Sequence, residues 1–343
     1  MVVASACADP PRPVHPAAPV HPVATEPAPI VEVVAPAPEP PAEPTPVQVQ
    51  PSMKDPELVR TGARITVTLA EPVEELIVTP HGPVWTHDGA VWAAFDGRAG
   101  AELLARQADP HGLAGDATAL YWAGAERHVR HTIATGEQTA IPGLDPRFMQ
   151  VQGFAVGPPA VALVDDPVEL MRIRWPGPRL ERVRVRVDPG WRRASDLRAS
   201  GDSLFFTVFV PSEVGPWTSV VAVDARGRAR VRRSGQRRLP RGAWDVDRHG
   251  VVVFVAGGAL HRLGPQDDAP KRVLALPDAA SICWCGPRVC ADDGKAREIR
   301  AWNIRSGAFT TVASEAEPVV RLACDRRRVA WATGASIVAV DLP

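Results

Sequence analysis

The chain has 343 residues, with 39 basic and 39 acidic side chains, 45% hydrophobic residues and a mean hydropathy of −0.07. This neutral balance, together with the lack of a recognised binding motif, argues against a nucleic-acid-binding protein. No run of eighteen apolar residues is present, so the sequence predicts no membrane-spanning helix. The length is sufficient to bury a large core.

The first 60 residues differ in composition from the rest of the chain. They contain 16 of the 37 prolines and none of the 27 glycines, and they carry a net charge of −4 against +4 for residues 61–343. Proline has no amide donor, so such a segment cannot form a helix or an inner strand. We expect residues 1–60 to be a disordered, semi-rigid tether that spans on the order of 150 Å when extended.

The start of the tether resembles the end of a bacterial lipoprotein signal. Small residues precede Cys7 in the segment Met1-Val-Val-Ala-Ser-Ala-Cys7. A full signal peptide also needs a charged stretch and an apolar core of 7–15 residues, of which only a remnant stands before Cys7. Either translation starts upstream and Cys7 is lipidated, or Cys7 is an ordinary residue; the proline-rich spacer favours the lipoprotein.

A ten-residue hairpin motif recurs seven times, and it predicts the fold. Each copy has an apolar residue at its first and tenth positions, with a small or polar turn between them, as in Leu113 to Trp122. The first positions are spaced by 37, 41, 43, 47, 38 and 40 residues. The pairs are Leu76/Trp85, Leu113/Trp122, Phe154/Leu163, Leu197/Phe206, Trp244/Val253, Ile282/Ala291 and Leu322/Trp331.

Repeats of this length with several short strands each are typical of radial architectures. Two further apolar runs follow the hairpin in most units, so each unit supplies four strands. The sequence therefore predicts an all-β fold, a seven-bladed β-propeller of four-stranded antiparallel blades over residues 61–343. The seventh unit ends after three strands, and the alternating run Ala63–Leu69 is expected to pair with it and close the ring.

One unit resembles a known repeat. The segment Pro110-His-Gly-Leu-Ala-Gly-Asp-Ala-Thr-Ala-Leu-Tyr-Trp122 is similar to the repeats of exported bacterial propellers of the NHL and YWTD groups. The resemblance implies a surface-exposed propeller scaffold. It implies no catalytic residue, because the shared positions belong to turns and core.

Four cysteines lie in the last two units. If Ile282 stands opposite Ala291, then Cys283 stands opposite Cys290 across the hairpin, at a separation that permits a disulfide. Cys285 and Cys324 then form the second predicted pair, linking the last two blades. Reduced thiols in a cytosolic protein are the alternative, and a zinc site is disfavoured by the spacing within one hairpin.

No catalytic motif is found in the sequence, and no cofactor is predicted. There is no G-x-S-x-G elbow, H-E-x-x-H, Walker loop or G-x-G-x-x-G. His128 and His131 are three apart on a predicted strand, so they point to opposite faces and are expected to be solvated or at an edge. His111 precedes an inner strand and is expected near the mouth of the central channel, capping a turn or contacting a ligand.

Charged loops on one face form the other candidate site. Connections between blades carry a basic group, which consists of Arg192, Arg193, Arg237, Arg238 and Arg241. Such charges are commonly solvated loop tips, but as a binding site they favour carboxylate, phosphate or sulfate groups through forked hydrogen bonds. An opposing acidic arc consists of Asp88, Glu126, Asp165, Asp166, Glu213, Asp292 and Asp293.

Three classes of function remain open on this basis. The leading one is a monomeric, non-catalytic extracytoplasmic scaffold, tethered to the cell envelope, that binds a protein, peptide or glycan at the channel mouth. The others are a lyase or hydrolase that uses the same mouth, and a structural envelope component.

Overall fold

The computed structural model describes residues 55–156, 159–165, 168–175, 177, 179–183, 185, 192–210, 217–233, 239, 242–276, 279, 281–294 and 296–342. These residues form seven antiparallel sheets and no helix. Within the same ranges, no helix is long and apolar enough to cross a membrane. The predicted seven-bladed β-propeller is confirmed.

The first four complete blades follow the chain in order from the innermost strand outward. Their strands are β3 (Glu75–Thr79), β4 (Gly82–His87), β5 (Ala90–Ala93), β6 (Glu102–Arg106); β7 (His111–Gly115), β8 (Ala119–Ala123), β9 (Val129–Thr132), β10 (Gln138–Ala140); β11 (Gln150–Ala155), β12 (Ala160–Asp165), β13 (Glu169–Arg174), β14 (Arg179–Val183); and β15 (Arg192–Ser200), β16 (Ser203–Val210), β17 (Trp217–Val223), β18 (Ala229–Arg233).

Two more blades continue this order, and the seventh combines both ends of the described chain. The strands of blades five and six are β19 (Trp244–Val246), β20 (Val252–Ala256), β21 (Ala259–Leu263), β22 (Lys271–Ala275); and β23 (Ile282–Cys285), β24 (Arg288–Asp293), β25 (Glu298–Trp302), β26 (Phe309–Ser314). Blade seven is β27 (Arg321–Cys324), β28 (Arg328–Ala332), β29 (Ser336–Asp341), β2 (Arg64–Thr68) and β1 (Glu57–Thr61).

Ring closure occurs where the sequence predicts it. Strand β2 pairs with β29, with Ile65 opposite Ala339 and Thr66 opposite Val338. The inner strands contact one another in sequence around the hub, including β27 with β3 across the seam. Blade seven has one strand more than predicted, because β1, assigned above to the tether, folds back on β2 as a hairpin. The ordered fold therefore reaches further upstream than residue 61.

The hydrophobic core is divided into seven clusters, one between each pair of neighbouring blades. The cluster at the seam, for example, packs Ile65 and Val67 of blade seven against Trp85 and Trp92 of blade one. A single blade cannot bury either of its faces alone, so each blade depends on both neighbours.

The hairpin motifs supply the centres of these clusters. All seven tenth-position residues are fully buried, from Trp85 to Trp331, and all seven first-position residues are buried too. Leu76, Ile282 and Leu322 stand directly opposite their predicted partners. In blades three and five the register is displaced by one residue, so that Phe154 faces Ala162 and Trp244 faces Phe254.

Aspartates fix several of the tight turns within blades. The Asp116 carboxylate accepts the amides of Thr118 at 2.6 Å and Ala119 at 3.0 Å. Equivalent turns occur in blades five and seven. There Asp247 accepts the amides of residues 249 and 251, and Asp325 accepts the amides of residues 327 and 328. An Asx-turn of this kind explains why the motif carries Asp after its first strand.

The four cysteines form two disulfides, but the predicted pairing is wrong. Cys283 and Cys290 do stand opposite each other in the β23–β24 register. The bonds nevertheless join Cys283 to Cys324 and Cys285 to Cys290. Cys283, Cys285 and Cys290 all lie in the cluster between blades six and seven. Because several sulfurs are within reach of one another, the strand register alone does not decide the partners.

The expectation that His128 and His131 are solvated or at an edge is also wrong. Both are buried, with 3% and 4% of their surface exposed. They do lie on opposite faces, His128 near Phe154 of blade three and His131 near Trp122 of its own blade. His87 is a third buried histidine and stacks on Trp92.

We expect Gly112→Ala to destabilise the fold strongly. Gly112 has a φ of +66°, and a Cβ there would lie 2.7 Å from the Gly153 Cα atom in the next blade. Backbone strain and steric overlap together should lower the free energy of unfolding by about 2–4 kcal/mol, measured by urea denaturation. Gly136→Ala is the matched control, since its φ is +71° with nothing within 4 Å, and should cost only about 1 kcal/mol. Equal losses at both sites would contradict the close approach.

The buried histidines predict a loss of stability in mild acid. Burial lowers the pKa of His87, His128 and His131 below the ordinary value of 6.5. Neighbouring groups raise these pKa values by less: Asp88 and Glu71 act on His87, the Met149 backbone and Asp145 on His128, and Glu102 on His131. The unfolded chain then binds more protons than the folded one, so stability falls as the pH drops below about 6.5.

The thermal midpoint, compared between about pH 7.5 and about pH 5, measures this effect. His128→Gln removes one titrating group, so the midpoint of that variant should fall less over the same range. His249, in an exposed turn, provides the control variant His249→Gln, which should keep the wild-type pH dependence. A His128→Gln variant with an unchanged slope would refute the assignment.

Candidate functional site

The central channel contains a cavity of about 320 Å³ lined by the inner strands of all seven blades. Each inner strand presents one backbone edge to the channel. The chemistry of the channel therefore depends on the side chains of the residues that adjoin the first residue of each motif in sequence. Among the described residues, six of those that line the cavity are charged, and they form two groups. One group, at blades one and seven, consists of Glu74, Glu75 and Arg321; the other, at blades four and five, consists of Asp196, Arg198 and Asp245.

The wall between these groups carries small side chains. Blades two and three contribute Gly112, Ala114, Gly115, Gly153 and Ala155. A Cβ at Gly112 would lie 2.7 Å from the Gly153 Cα atom, so blade two cannot carry a side chain at that position, whereas a Cβ at Gly153 would make only an ordinary contact at 3.9 Å. The cavity is therefore lined by small residues at blades two and three, and by charged residues at the seam and at blades four and five.

Asp245 is the most constrained of the charged residues. Its carboxylate accepts the amide of Trp284 in blade six at 2.7 Å and its neighbour Val246's amide at 2.9 Å. Burial raises the pKa of Asp245 above its ordinary value, and the nearby Arg198 guanidinium and these amides oppose that shift. Asp245 thus links blade five to blade six and places a carboxyl group in the channel wall.

Arg198 lies beside Asp245 and reaches toward the cavity. Its Nε atom is 3.8 Å from the Asp245 Oδ1 atom, and its guanidinium carbon is 5.8 Å from the ring centre of Trp244. The side chain remains 41% exposed. A guanidinium held by a ring and a carboxylate, yet still open to solvent, is suited to forked hydrogen bonds with an anionic group.

The charged group at the seam is built in the same way. The Glu75 Oε2 atom accepts the amide of Leu113 in blade two at 2.7 Å, and the Arg321 Nε atom donates to the Glu74 carbonyl at 3.1 Å, from blade seven to blade one. Burial raises the pKa of the Glu74 carboxyl, and the negative charges of Asp109, Glu75 and Asp88 add to it. Charged channel residues therefore also fasten neighbouring blades.

His111 was predicted near the channel mouth; it is the first residue of β7, whose cavity-lining residues begin at Gly112. Its two ring nitrogens lie 2.7 Å from the Asp109 carbonyl oxygen and 2.9 Å from the Val151 carbonyl oxygen in blade three. The ring thus links its own turn to the next blade. A direct role of His111 in ligand binding stays a prediction.

Of the predicted basic group, the structure describes only part. Arg193 is exposed at a φ of +50°, and the backbone of Arg192 lies in β15 opposite Phe209. Arg237, Arg238 and Arg241 lie outside the described residues, as does the lipidation candidate Cys7. The proposed basic binding face is therefore still a prediction.

The described members of the acidic arc are mainly engaged within the fold. Asp165 accepts the Ala194 amide of blade four at 3.3 Å, and Asp292 accepts the Ser281 amide at 2.9 Å. Asp293 pairs with Arg300 at 2.6 Å. Asp88 and Glu126 are exposed, while Asp166 and Glu213 lie outside the described residues. Three of these carboxylates thus stabilise strand ends.

A second cavity, of about 420 Å³, lies beside the connection from blade two to blade three. Its charged lining includes Glu126, Arg127, Asp145 and Arg147. Asp145 and Arg147 pair with each other at 2.9 Å on the surface, and the mutual contact lowers the pKa of the Asp145 carboxyl. Their charges compensate each other locally, which makes this cavity a weaker candidate than the channel.

The sequence analysis missed the charged channel residues, although a signal for them exists. Glu75, Asp196 and Arg321 immediately precede the first residue of their motifs, and Arg198 and Asp245 immediately follow it. In most other units these positions hold glycine, alanine, serine or cysteine. Charged residues next to a buried inner-strand residue indicate charged side chains in the channel wall, whereas charged residues in the loops do not.

Comparisons with known proteins extend to the fold alone. No protein-family model and no curated protein match the chain. Solved propellers are similar, among them virginiamycin B lyase from Staphylococcus aureus, with 12% identity and a TM-score of 0.58 over 82% of this chain and 99% of that one. The Pan2 WD40 domain of Neurospora crassa has 9% identity and a TM-score of 0.57 over 80% and 90%.

The computationally designed Ika8 protein is similar to the same degree, with 12% identity and a TM-score of 0.57 over 85% of this chain and 97% of that one. An enzyme, a WD40 domain and a designed protein thus share the architecture, so the fold does not decide the function. The relation to the NHL and YWTD groups stays a prediction.

We expect Asp245→Ala to lower the free energy of unfolding by about 1–3 kcal/mol, because the Trp284 amide loses its acceptor. Asp245→Asn keeps an acceptor oxygen and should cost less. The raised pKa of Asp245 means that the folded chain binds more protons than the unfolded chain, because burial disfavours the charged carboxylate. The net contribution of Asp245 to stability is therefore largest at low pH and falls as the pH rises through the folded pKa.

Urea denaturation of wild type and Asp245→Asn between about pH 4 and about pH 8 measures that dependence. The stability advantage of the wild type should shrink toward high pH. A constant difference across the range would show that burial does not perturb this carboxyl.

Proposed function

We propose that the protein is a non-catalytic propeller that binds a peptide segment of a partner protein in its central channel. The observation that carries this proposal is the charged lining, in which Arg198, stacked near Trp244, remains open to the cavity between two carboxylate-bearing strands. Of the three ligand classes that the sequence analysis left open, protein, peptide and glycan, the proposal thus selects a peptide.

The distribution of charge favours a peptide over a polyanion. Arg198 and Arg321 lie in different walls of the cavity, and each is accompanied by carboxylates. A uniformly sulfated or phosphorylated polymer would be repelled by Asp196 and Glu75, whereas a peptide can present a carboxylate to an arginine and an amide or cation to an acid. The small residues of blades two and three leave room for its backbone.

Binding also accounts better than catalysis for how the acids are used. Glu75 and Asp245 each accept a backbone amide of the next blade. A general acid or base must exchange protons with a substrate while keeping its geometry, and that exchange would disturb contacts between blades. The carboxylates are thus better suited to fixed recognition than to turnover.

An enzyme is the second candidate, and one observation favours it. Burial raises the pKa of Asp245 inside a cavity, and a carboxyl perturbed in this way next to an arginine is a recognised feature of catalytic acids. A lyase or hydrolase acting on a ligand held by Arg198 would use Asp245 as the proton donor.

The location follows in part from the disulfides. Two disulfides indicate an oxidising, extracytoplasmic environment. We add, as part of the proposal, that the proline-rich segment tethers the propeller to the cell envelope through a lipid on Cys7. An intact mass of the native protein that equals the unmodified chain would exclude the lipid.

The test of the binding proposal is calorimetric titration with a panel of soluble acidic peptides and of sulfated oligosaccharides. For peptides that bind the wild type, Arg198→Gln should weaken the affinity by about tenfold, because the forked contact with a carboxylate is lost. Arg179→Gln, on the exposed outermost strand β14, is the matched control and should bind like the wild type.

Two outcomes would overturn the proposal: binding of peptides by Arg198→Gln as tightly as by the control variant, or binding of sulfated oligosaccharides alone. Release of a modified product during the titration, abolished by Asp245→Asn, would instead establish the enzyme.

A further inference from the structure

The four cysteine sulfurs of blades six and seven form one continuous cluster. They come from three strands, with Cys283 and Cys285 on β23, Cys290 on β24 and Cys324 on β27. The bonds are Cys283–Cys324 and Cys285–Cys290, and the Sγ atoms of Cys283, Cys285 and Cys324 all lie within 4.8 Å of one another. The two disulfides are therefore close neighbours.

The two disulfides differ in their access to the channel. Cys283 and Cys324 both line the central cavity, and we call their bond channel-facing; Cys283 is 6% exposed and Cys324 is half-buried. Cys285 and Cys290 are 2% and 0% exposed. Cys324 is thus the cysteine of the cluster that is most open to a small thiol in the cavity, whereas both residues of the second bond are covered.

We propose that these cysteines form a redox-active relay, in which the channel-facing Cys283–Cys324 disulfide exchanges with a dithiol and passes the exchange to the buried Cys285–Cys290 disulfide. A purely structural pair of disulfides needs neither access from the cavity nor a second disulfide close enough for exchange. The relay uses the channel but not the peptide site, so it does not depend on the proposed function.

The first stage consumes the dithiol. One thiolate of the dithiol attacks the Cys324 sulfur, the bond to Cys283 breaks, and Cys283 leaves as a thiolate and takes up a proton. The second thiolate of the dithiol then attacks the first sulfur of the same dithiol, which is bonded to Cys324 in the mixed disulfide. This step releases the cyclic oxidised dithiol and leaves Cys324 as a thiolate.

The second stage moves the exchange inward. The Cys324 thiolate attacks the adjacent Cys285 sulfur, the bond from Cys285 to Cys290 breaks, and Cys290 leaves as a thiolate and takes up the second proton. The dithiol has lost two electrons and two protons. The cluster has gained both, and it now contains the disulfide Cys285–Cys324 and the free thiols of Cys283 and Cys290.

The experiment traps this two-electron state in the native protein. The full chain is treated with one equivalent of dithiothreitol, alkylated with iodoacetamide and digested with trypsin, which separates Cys324 in residues 322–326 and Cys290 in residues 289–295 from the peptide that holds Cys283 and Cys285. Tandem mass spectrometry should find Cys283 and Cys290 alkylated and Cys285 linked to Cys324.

A pair of double variants tests the order of reaction. The variant Cys285→Ser with Cys290→Ser keeps the channel-facing bond and should be reduced at the wild-type rate. The variant Cys283→Ser with Cys324→Ser keeps only the buried bond and should react at least about tenfold more slowly, since it must first open locally. Circular dichroism before and after treatment checks that each protein is folded.

The wild-type trapping experiment decides the proposal even if a variant does not fold. Alkylation of Cys283 and Cys324 with Cys285–Cys290 intact would overturn the relay. So would reduction that occurs only in denaturant, which is the behaviour of disulfides that serve structure alone.

Discussion

The mutual burial of neighbouring blades is the constraint on which this structure depends. Each of the seven core clusters is shared between two blades, and the residues at the centres of the hairpin motifs are fully buried there. Among the residues that the structure describes, no blade has a core of its own, so we expect the ring to be stable only when it is closed. The strands around Ile65 and Val338 provide that closure by completing blade seven.

Polar contacts at the seam follow the same logic. Arg328 of blade seven donates to both carboxylate oxygens of Asp96 in blade one at 3.2 and 3.1 Å, and to Asp341 at 2.6 Å. The side chain is only 11% exposed, and its carboxylate partners raise the pKa of Arg328 although burial opposes them. Forked contacts of this kind are stronger than ordinary surface ion pairs and reinforce the junction between the two ends of the chain.

The channel combines support and recognition in the same residues. Glu75 and Asp245 accept amides from the neighbouring blade, and Arg198 lies between a ring, a carboxylate and the open cavity. A ligand that contacts these groups would therefore contact the junctions between blades, and binding in the channel would stabilise the closed ring. The disulfide between Cys283 and Cys324 joins β23 to β27 at one of these junctions and faces the same cavity.

Much of the architecture can be read from the sequence, because hairpins with several short strands each repeat at intervals typical of a radial stack of blades. The number of blades, the burial of residues such as Trp122 and Trp331, and the pairing of the Ile65 strand with the end of the chain all follow from apolar spacing. These features depend on local patterns and on the need to cover every sheet face. The sequence thus determined the scaffold.

Only the tertiary structure decided the site. Whether Cys283 bonds to Cys290 or to Cys324 depends on how blade seven approaches blade six, which local register does not encode. The same is true of His128 and His131, which read as edge residues in their strand and are buried by side chains of the surrounding blades. Asp245 and Arg198 lie 47 residues apart in sequence and meet only because consecutive inner strands converge on one axis. Such convergence is a property of the closed ring, and no segment carries it alone.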